Sequence, residues 1–255
     1  MSGFDHRDRG TPEGAWQLAD LPRMDAPGPG EHVLVLAAHP DDETLGAGGL
    51  LARCAQDDVP VTVVVASDGE ASHPSSRTAS PAQLARRRRD EVRAAVSVLA
   101  PGCEVRFLGL PDGALTEHRD TLIEQVEQLV GAATLIVSPW AGDRHPDHEA
   151  CARAAAAIAR RRGLPLWQYP IWMWHWARPD GPEVPVAQLA RVDLDAAAHD
   201  TKADALACHV SQHRPLSAEP GDEAILPPEI VAHFARTFEC FVVGDAAPAA
   251  PSDAG

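Results

Sequence analysis

The sequence lacks the features that mark secreted, membrane-spanning or disulfide-rich proteins. Its five cysteines are scattered and form no Cys-x-x-Cys pair, so we expect neither a disulfide framework nor a zinc site built from thiolates. The N-terminal residues lack the cationic start and apolar core of a signal peptide. No apolar run approaches the ~20 residues that a membrane span requires. These absences predict a cytoplasmic protein that does not insert into a membrane.

Positive charge is also scarce in this sequence. The chain has 22 Lys and Arg residues against 37 Asp and Glu residues, which gives a formal net charge of −15 at pH 7. Proteins that bind nucleic acids or anionic membranes present a basic surface to them. One run of four arginines at residues 86–89 does not offset the excess of acid, so we expect no nucleic-acid partner. The oligomeric state stays open, with a homo-oligomer among the options.

What the sequence does contain is a regular alternation of apolar runs and helical periodicity. With 255 residues, 45% of them hydrophobic, the chain is long enough to bury a core. The alternation predicts an α/β, Rossmann-like fold with a mainly parallel sheet, helices on both faces, and an active site at the carboxyl ends of the strands. The predicted strands lie at 33–38, 61–67, 105–110, 134–140 and 166–172, and the helices between them at 45–56, 82–99, 119–131 and 147–162.

Composition divides the chain into three predicted parts. Residues 1–30 are rich in Pro, Gly and Asp and are expected to form an N-terminal arm. Residues 31–243 are expected to form a single domain, although the pattern weakens after Trp176. Residues 244–255 have low complexity and are predicted to be a disordered tail. In the C-terminal part of the domain we expect a strand near 188–193, helices at about 196–212 and 227–237, and a last strand in the segment ECFVVG.

The first motif, AHPDDE, follows directly on the first predicted strand. A dinucleotide site would need a Gly-x-Gly-x-x-Gly turn there, but the glycines come a helical turn late, and the carboxylates would repel phosphate. A cation suits the turn better, because zinc binds imidazole nitrogen and carboxylate oxygen. His39 and Asp42 are spaced to converge on one ion. The alternative is that Asp41 and Asp42 only cap the following helix.

A second motif, HPDH, repeats this layout after the fourth predicted strand. His148 lies 148 − 39 = 109 residues beyond His39. In the common strand order the first and fourth strands are neighbours at the point where the order reverses, so the two turns would face each other across one crevice. Their matched placement favours a shared metal site over two independent helix caps. His148 supplies a third ligand and leaves other carboxylates and one histidine for acid–base chemistry.

The pair of motifs resembles the PIG-L/LmbE-like superfamily of zinc-dependent N-deacetylases. The resemblance covers about residues 32–172 well and extends more weakly through residues 202–212. It implies that His39, Asp42 and His148 bind zinc, although iron or another divalent ion also suits such a ligand set. The roles that it implies for other residues are Asp41 as general base, His145 as the group that stabilises the oxyanion and protonates the leaving amine, Asp147 as the group that orients His145, and Glu70, Arg88 and Asp112 as substrate contacts.

The resemblance implies a metal-dependent hydrolase that removes an N-acyl group, with acetyl expected, from an N-acetylglucosamine-like amino sugar or conjugate. An amidase acting on a larger amide conjugate would use the same chemistry. A metal-binding regulatory protein without catalysis is a third hypothesis, but it would need neither Asp41 nor His145. The tryptophan-rich segment 167–179 could be a stacking platform for a sugar, and we favour burial and an oligomer contact for it instead.

Overall fold

Seven strands form one sheet in the order β3-β2-β1-β4-β5-β7-β6. The first five strands are parallel, and β7 runs antiparallel to β5 and β6. This computed structural model describes residues 7–244 and confirms the predicted α/β fold. The predicted tail lies outside the described residues except for Gly244, as do the first six residues of the predicted arm. The strands are β1 Val33–Ala37, β2 Val61–Ser67, β3 Glu104–Leu110, β4 Leu135–Pro139, β5 Leu166–Tyr169, β6 Leu189–Asp193 and β7 Phe238–Val243.

Helices cover both faces of the sheet, which explains why the central strand β1 is apolar at every position. In β1, Val33 and Val35 belong to one hydrophobic cluster and Leu34 and Leu36 to a second cluster on the other face. Because both faces are buried, the strand cannot show the polar–apolar alternation of a half-exposed strand. The helices are α1 Asp42–Gln56, α2 Pro81–Leu99, α3 Arg119–Leu129, α4 Pro146–Arg162, α5 Met173–Trp176, α6 Ala196–Leu206, α7 Val210–His213 and α8 Pro228–Val231.

The C-terminal elements are shorter than the sequence pattern suggests. The strand predicted at 166–172 ends at Tyr169, because Pro170 has no N–H to continue the ladder and the chain then enters α5. The helix predicted at 196–212 is interrupted after Leu206, and the next helix begins at Val210. The helix predicted at 227–237 is one turn, α8, followed by a short 3-10 helix. Local periodicity does not reveal these interruptions, since tertiary contacts produce them.

The described part of the predicted arm packs onto the domain. Trp16 is 9% exposed and donates its indole N–H to the carbonyl oxygen of Trp174 at 3.1 Å. Glu13 accepts hydrogen bonds from Arg236 and contacts His233 Nδ1 at 2.7 Å. In the tryptophan-rich segment, Trp174 is therefore buried as favoured. Whether residues 1–30 form a separate unit stays a prediction.

The sheet brings the two motif-bearing turns together. β1 pairs in parallel with both β2 and β4, so strand order reverses between β1 and β4. The loops after β1 and β4 leave the same edge of the sheet and lead into α1 and α4, respectively. No helix within residues 7–244 has the length and apolar character needed to cross a membrane.

Candidate metal centre and catalytic site

The turn between β1 and α1 holds Asp41 in an unusual backbone conformation. Its φ is 121°, which non-glycine residues rarely adopt and which costs roughly 1–3 kcal/mol. The surroundings maintain this conformation. The Asp41 N–H donates to Glu43 Oε2 at 3.1 Å, and the Asp41 carbonyl accepts from Thr44 and Leu45 at the start of α1. On the side chain, Oδ2 lies 3.1 Å from Nη2 of the buried Arg88. Strain kept in this way is typical of functional sites.

Helix capping does not explain the two aspartates. Asp41 is the N-cap of α1, but its side chain accepts no capping hydrogen bond. The Asp42 carboxylate points back from the helix. Its Oδ2 accepts the N–H groups of Ala38 at 3.0 Å and His39 at 2.9 Å, which fixes the carboxylate at the end of β1. The remaining oxygen, Oδ1, faces His148 from the second motif.

His148 is held by a carboxylate that the sequence analysis did not identify. Its Nδ1 lies 2.7 Å from Asp143 Oδ2, and both side chains are fully buried. Its Nε2 lies 3.3 Å from Asp42 Oδ1 and makes no hydrogen bond. Asp143 also accepts the N–H groups of Ile171, Trp172 and Met173 at 2.9–3.1 Å, so its position is fixed by the chain that follows β5. Only its position two residues before His145 hints at this in the sequence.

His39 is oriented in the same manner from the other motif. Its Nε2 lies 3.2 Å from Asp112 Oδ1 and 3.3 Å from Asp147 Oδ2, while its Nδ1 faces Asp42 Oδ2 at 3.5 Å. Each of the two histidines therefore presents one nitrogen to Asp42 and the other nitrogen to a carboxylate. A carboxylate behind the imidazole is the usual arrangement around metal-bound histidine.

The described residues fit a divalent metal ion. Ligand atoms ~2.0–2.1 Å from a tetrahedral zinc lie ~3.3 Å from one another, close to the two imidazole–Asp42 distances. The Nε2 atom of His148 is buried and makes no hydrogen bond, and its lone pair could bind such an ion. Among the described residues, two sets of three side chains have potential ligand atoms that all lie within 4.8 Å of one another. One set is His39, His145 and His148, and the other is His39, Asp112 and Asp147. Neither of these two sets contains Asp42, so the set His39, Asp42 and His148 stays a prediction, and His145 in place of Asp42 is the option that the ligand-atom distances favour.

His145 lies at the mouth of this cluster without a carboxylate partner. Its ring centroid is 4.6 Å from that of His148 and 4.8 Å from that of His39, and its Nδ1 has no hydrogen bond. The expectation that Asp147 orients His145 does not match the contacts. Asp147 accepts the N–H groups of Gly113 at 2.7 Å and Leu115 at 3.1 Å and contacts His39. It positions His39 and the loop after β3 instead.

Burial and neighbouring charges shift the acid–base properties of this cluster. Burial raises the pKa of Asp41 to about 7, against the opposing effect of the Arg88 guanidinium. Burial lowers the pKa of His148, but Asp42 and Asp143 outweigh this effect and raise it to about 9. Burial, with the positive charge of the neighbouring imidazoles, holds the pKa of His145 well below its usual value. Asp41 is therefore one of two groups in this turn whose protonation changes near neutral pH, the other being Glu43, whose pKa burial raises to about 8.

The three predicted substrate contacts take different positions. Asp112 lines the cavity above the cluster and contacts His39. Arg88 also lines it, but its guanidinium donates to the carbonyls of Gly69 and Pro40 and to Asp41. Glu70 is not among the lining residues and accepts the Asp112 N–H at 3.0 Å. The structure thus brings Asp112 and Arg88 to the site and places Glu70 behind Asp112.

The cavity above the cluster has a volume of about 790 Å³. Its walls include Trp172 from the tryptophan-rich segment, Gln212 from α7, and Arg7 from the N-terminal part of the chain. The loops 71–75 and 220–226 contribute the rest of the rim. Sequence analysis considered Trp172 only as part of a candidate stacking platform for a sugar, and it did not assign the loops 71–75 and 220–226, which carry no recognisable pattern.

Comparison with known proteins agrees with this geometry. The family model of the PIG-L family, described as GlcNAc-PI de-N-acetylase, matches residues 34–159. A probable N-acetyl-alpha-D-glucosaminyl L-malate deacetylase 2 of Bacillus subtilis is 34% identical over 138 residues, which are 52% of this chain and 62% of that protein. A 1D-myo-inositol 2-acetamido-2-deoxy-alpha-D-glucopyranoside deacetylase of Kineococcus radiotolerans is 33% identical over 149 residues, which are 57% of this chain and 40% of that protein.

A solved structure shares the fold over most of the chain. The A40926 pseudoaglycone deacetylase Dbv21 superposes with a TM-score of 0.62 and 26% identity, over 85% of this chain and 98% of that one. The match to the family model includes both motif-bearing turns. The chain is thus similar to the PIG-L family over residues 34–159. It spans only 40–62% of the length of the two curated relatives described above.

Proposed function

We propose that this chain is a member of the PIG-L family and a metal-dependent hydrolase that removes an N-acyl group, with acetyl expected, from an N-acetylglucosamine-like amino sugar or conjugate. One observation carries the proposal. A buried carboxylate with a pKa of about 7, that of Asp41, stands beside a cluster of imidazoles and carboxylates that fits a divalent ion. The deacetylase names of the curated relatives support the choice of substrate class.

For the metal, we propose zinc bound by His39, Asp42 and His148. The preference over His145 rests on the carboxylates behind the two imidazoles, Asp147 for His39 and Asp143 for His148. When bound, zinc would polarise the amide carbonyl and acidify water at the site. His145 has no such carboxylate and remains available to the substrate.

Asp41 is the proposed general base. Its carboxylate would take a proton from the attacking water as the water oxygen bonds to the carbonyl carbon. The carbon–nitrogen bond then breaks, and the departing amine takes up a proton. Because Arg88 pairs with the same carboxylate, it holds the base in place and favours its ionised form.

His145 is the proposed partner of the developing oxyanion. Since its pKa is lowered, it would act as a neutral imidazole that donates one N–H, and the proton accepted by Asp41 is then available for the amine. One well-placed donor of this kind contributes roughly 10²–10³ in rate. This differs from the sequence-based hypothesis, in which His145 itself protonates the amine.

The test is release of free amine from a panel of N-acetylated amino sugars and larger N-acyl conjugates, with metal-replete protein. Activity on N-acetylglucosamine-type compounds that Asp41→Asn removes would support the proposal. Activity on large conjugates alone would favour the amidase alternative, for which the 790 Å³ cavity leaves room. Stoichiometric metal binding without turnover on any compound would favour the non-catalytic alternative.

A further inference from the structure

A second cavity adjoins the proposed catalytic site. It has a volume of about 360 Å³ and lies between α6, α7 and the segment 226–235. The larger apolar side chains that line it are Leu45, Leu206, Leu226, Val231 and Phe234, and three histidines also line it, His199, His209 and His213. Lys202 also lines it, but its ammonium group is bonded to Glu239 at 2.6 Å and to the Leu45 carbonyl at 2.8 Å. Lys202 therefore presents its methylene groups, and we call this cavity the apolar groove.

The apolar groove and the site cavity meet at the proposed base, where they share lining residues. Asp41, Leu45 and Leu226 line both cavities. At the other end, the lining includes Ala203 and Ala235, which are exposed to solvent. Both cavities therefore border Asp41.

The two cavities differ in chemistry on either side of Asp41. The site cavity has polar lining residues suited to hydroxyl groups, including Ser72, Asp112 and Glu223. The apolar groove offers mainly carbon atoms. An N-acylated amino sugar has the same division, because a hydroxylated ring and a hydrocarbon chain meet at the amide that Asp41 would attack with water.

The size of the apolar groove exceeds what an acetyl group needs. A methyl group takes about as much space as one water, for which ~10–15 Å³ of such a cavity suffices. Nearly all of the 360 Å³ would stay unfilled. The volume lies within the range of ~300–1,000 Å³ that ligand pockets show.

We propose that the apolar groove binds the hydrocarbon chain of the substrate's acyl group, so that the preferred substrates carry N-acyl chains longer than acetyl. This proposal rests on the proposed function, keeps its N-acyl amino sugar as the substrate class, and replaces acetyl by a longer chain as the expected acyl group. Each buried methylene contributes ~0.8 kcal/mol, which corresponds to a rise of about fourfold in kcat/KM per added carbon until the groove is full.

The kinetic test compares N-acetyl-, N-butanoyl-, N-hexanoyl- and N-octanoylglucosamine with the metal-loaded full chain. Ala203→Phe places a large ring in the groove from an exposed position of α6. Ala197→Phe makes the same change at an exposed position of α6 that does not line the groove, and serves as the control. We expect the ratio of kcat/KM for hexanoyl over acetyl to exceed tenfold in the wild type and the control, and to fall towards one in Ala203→Phe.

A binding test separates this proposal from the proposed function. Calorimetry with acetate, butanoate, hexanoate and octanoate requires no turnover. Affinity that rises with chain length and is lost in Ala203→Phe would support the groove even if no N-acyl sugar were hydrolysed. Hydrolysis of the N-acetyl compound with no chain-length effect in either experiment would overturn the groove and leave the proposed function standing.

Two further outcomes would also overturn the proposal. Alkyl glycosides of N-acetylglucosamine place the hydrocarbon on the other side of the amide. If their kcat/KM rises with alkyl length while that of the N-acyl series does not, the groove holds the aglycone. If neither series responds and Ala203→Phe converts a dimer to a monomer in sedimentation analysis, the groove is a contact between copies of this chain.

Discussion

Replacing Asp143 by asparagine tests whether a buried carboxylate sets the metal-binding nitrogen of His148. In the native chain, Asp143 Oδ2 accepts from both His148 Nδ1 and the Trp172 N–H, and Oδ1 accepts from Ile171 and Met173. Asparagine keeps the size but replaces one oxygen by an NH₂ group. If the asparagine oxygen accepts from Ile171 and Met173, its NH₂ group faces the Trp172 N–H and His148 Nδ1. His148 Nδ1 would then have to accept a hydrogen bond instead of donating one.

Asp143→Asn should lower both the metal affinity and the free energy of unfolding, because it changes the hydrogen bonds to His148 and to the Trp172 N–H. A proton moved from Nδ1 to Nε2 of His148 would occupy the atom that faces Asp42, so metal binding would require its removal. Changes to such carboxylates cost roughly 10–100-fold in metal affinity. The buried Trp172 N–H would lose its acceptor, which costs about 1–3 kcal/mol in the free energy of unfolding. We expect both effects in the same variant.

The assay is competition for zinc against a chromophoric chelator, together with denaturant unfolding of the metal-free protein. Glu239→Gln is the matched control, because Glu239 is also buried and accepts from Lys202 and from the N–H groups of Gly49 and Leu50, seven and eight residues after Asp42. It should lose stability while its metal affinity stays within about twofold of wild type. A folded Asp143→Asn protein with wild-type metal affinity would refute the reasoning, whatever its activity.

The remaining predictions concern the acid–base groups. Asp41→Asn should keep the metal and lose about 10²–10⁴-fold in kcat, as elemental analysis and amine release would show; near-wild-type turnover would move the base elsewhere. Because Asp41 acts when ionised, the pH–rate profile should rise through about pH 7. Arg88→Gln should shift this rise to higher pH, because it removes a positive charge that stabilises the Asp41 carboxylate. A pH–rate profile that does not shift would argue against Asp41 as the base. His148→Ala should lose metal, whereas His145→Ala should keep metal and lose about 10²–10³-fold in kcat more than in KM; equal metal loss would make His145 a ligand.

Much of the central fold and both motif-bearing turns could be predicted because their signals are local. Runs such as Val33–Ala37 are apolar at every position since both faces of the strand are buried, and each run is followed by a helix. Gly46 comes a helical turn too late for the Gly-x-Gly-x-x-Gly turn of a dinucleotide site, and this spacing argued against such a site. The pairing of the two His- and Asp-bearing turns followed from the rule that carboxyl ends of neighbouring parallel strands share an edge.

The tertiary structure alone decided which groups contact one another within the site. The only sequence signal for Asp143 is its position two residues before His145, because most of its partners are N–H groups of the backbone after β5. Asp147 lies against His39, 108 residues distant, rather than against its neighbour His145. The apolar groove is formed because residues of α6 and of the segment 226–235 line one cavity together with Asp41. Sequence periodicity determines which face of an element is apolar, but the contacts of single atoms depend on how distant elements pack.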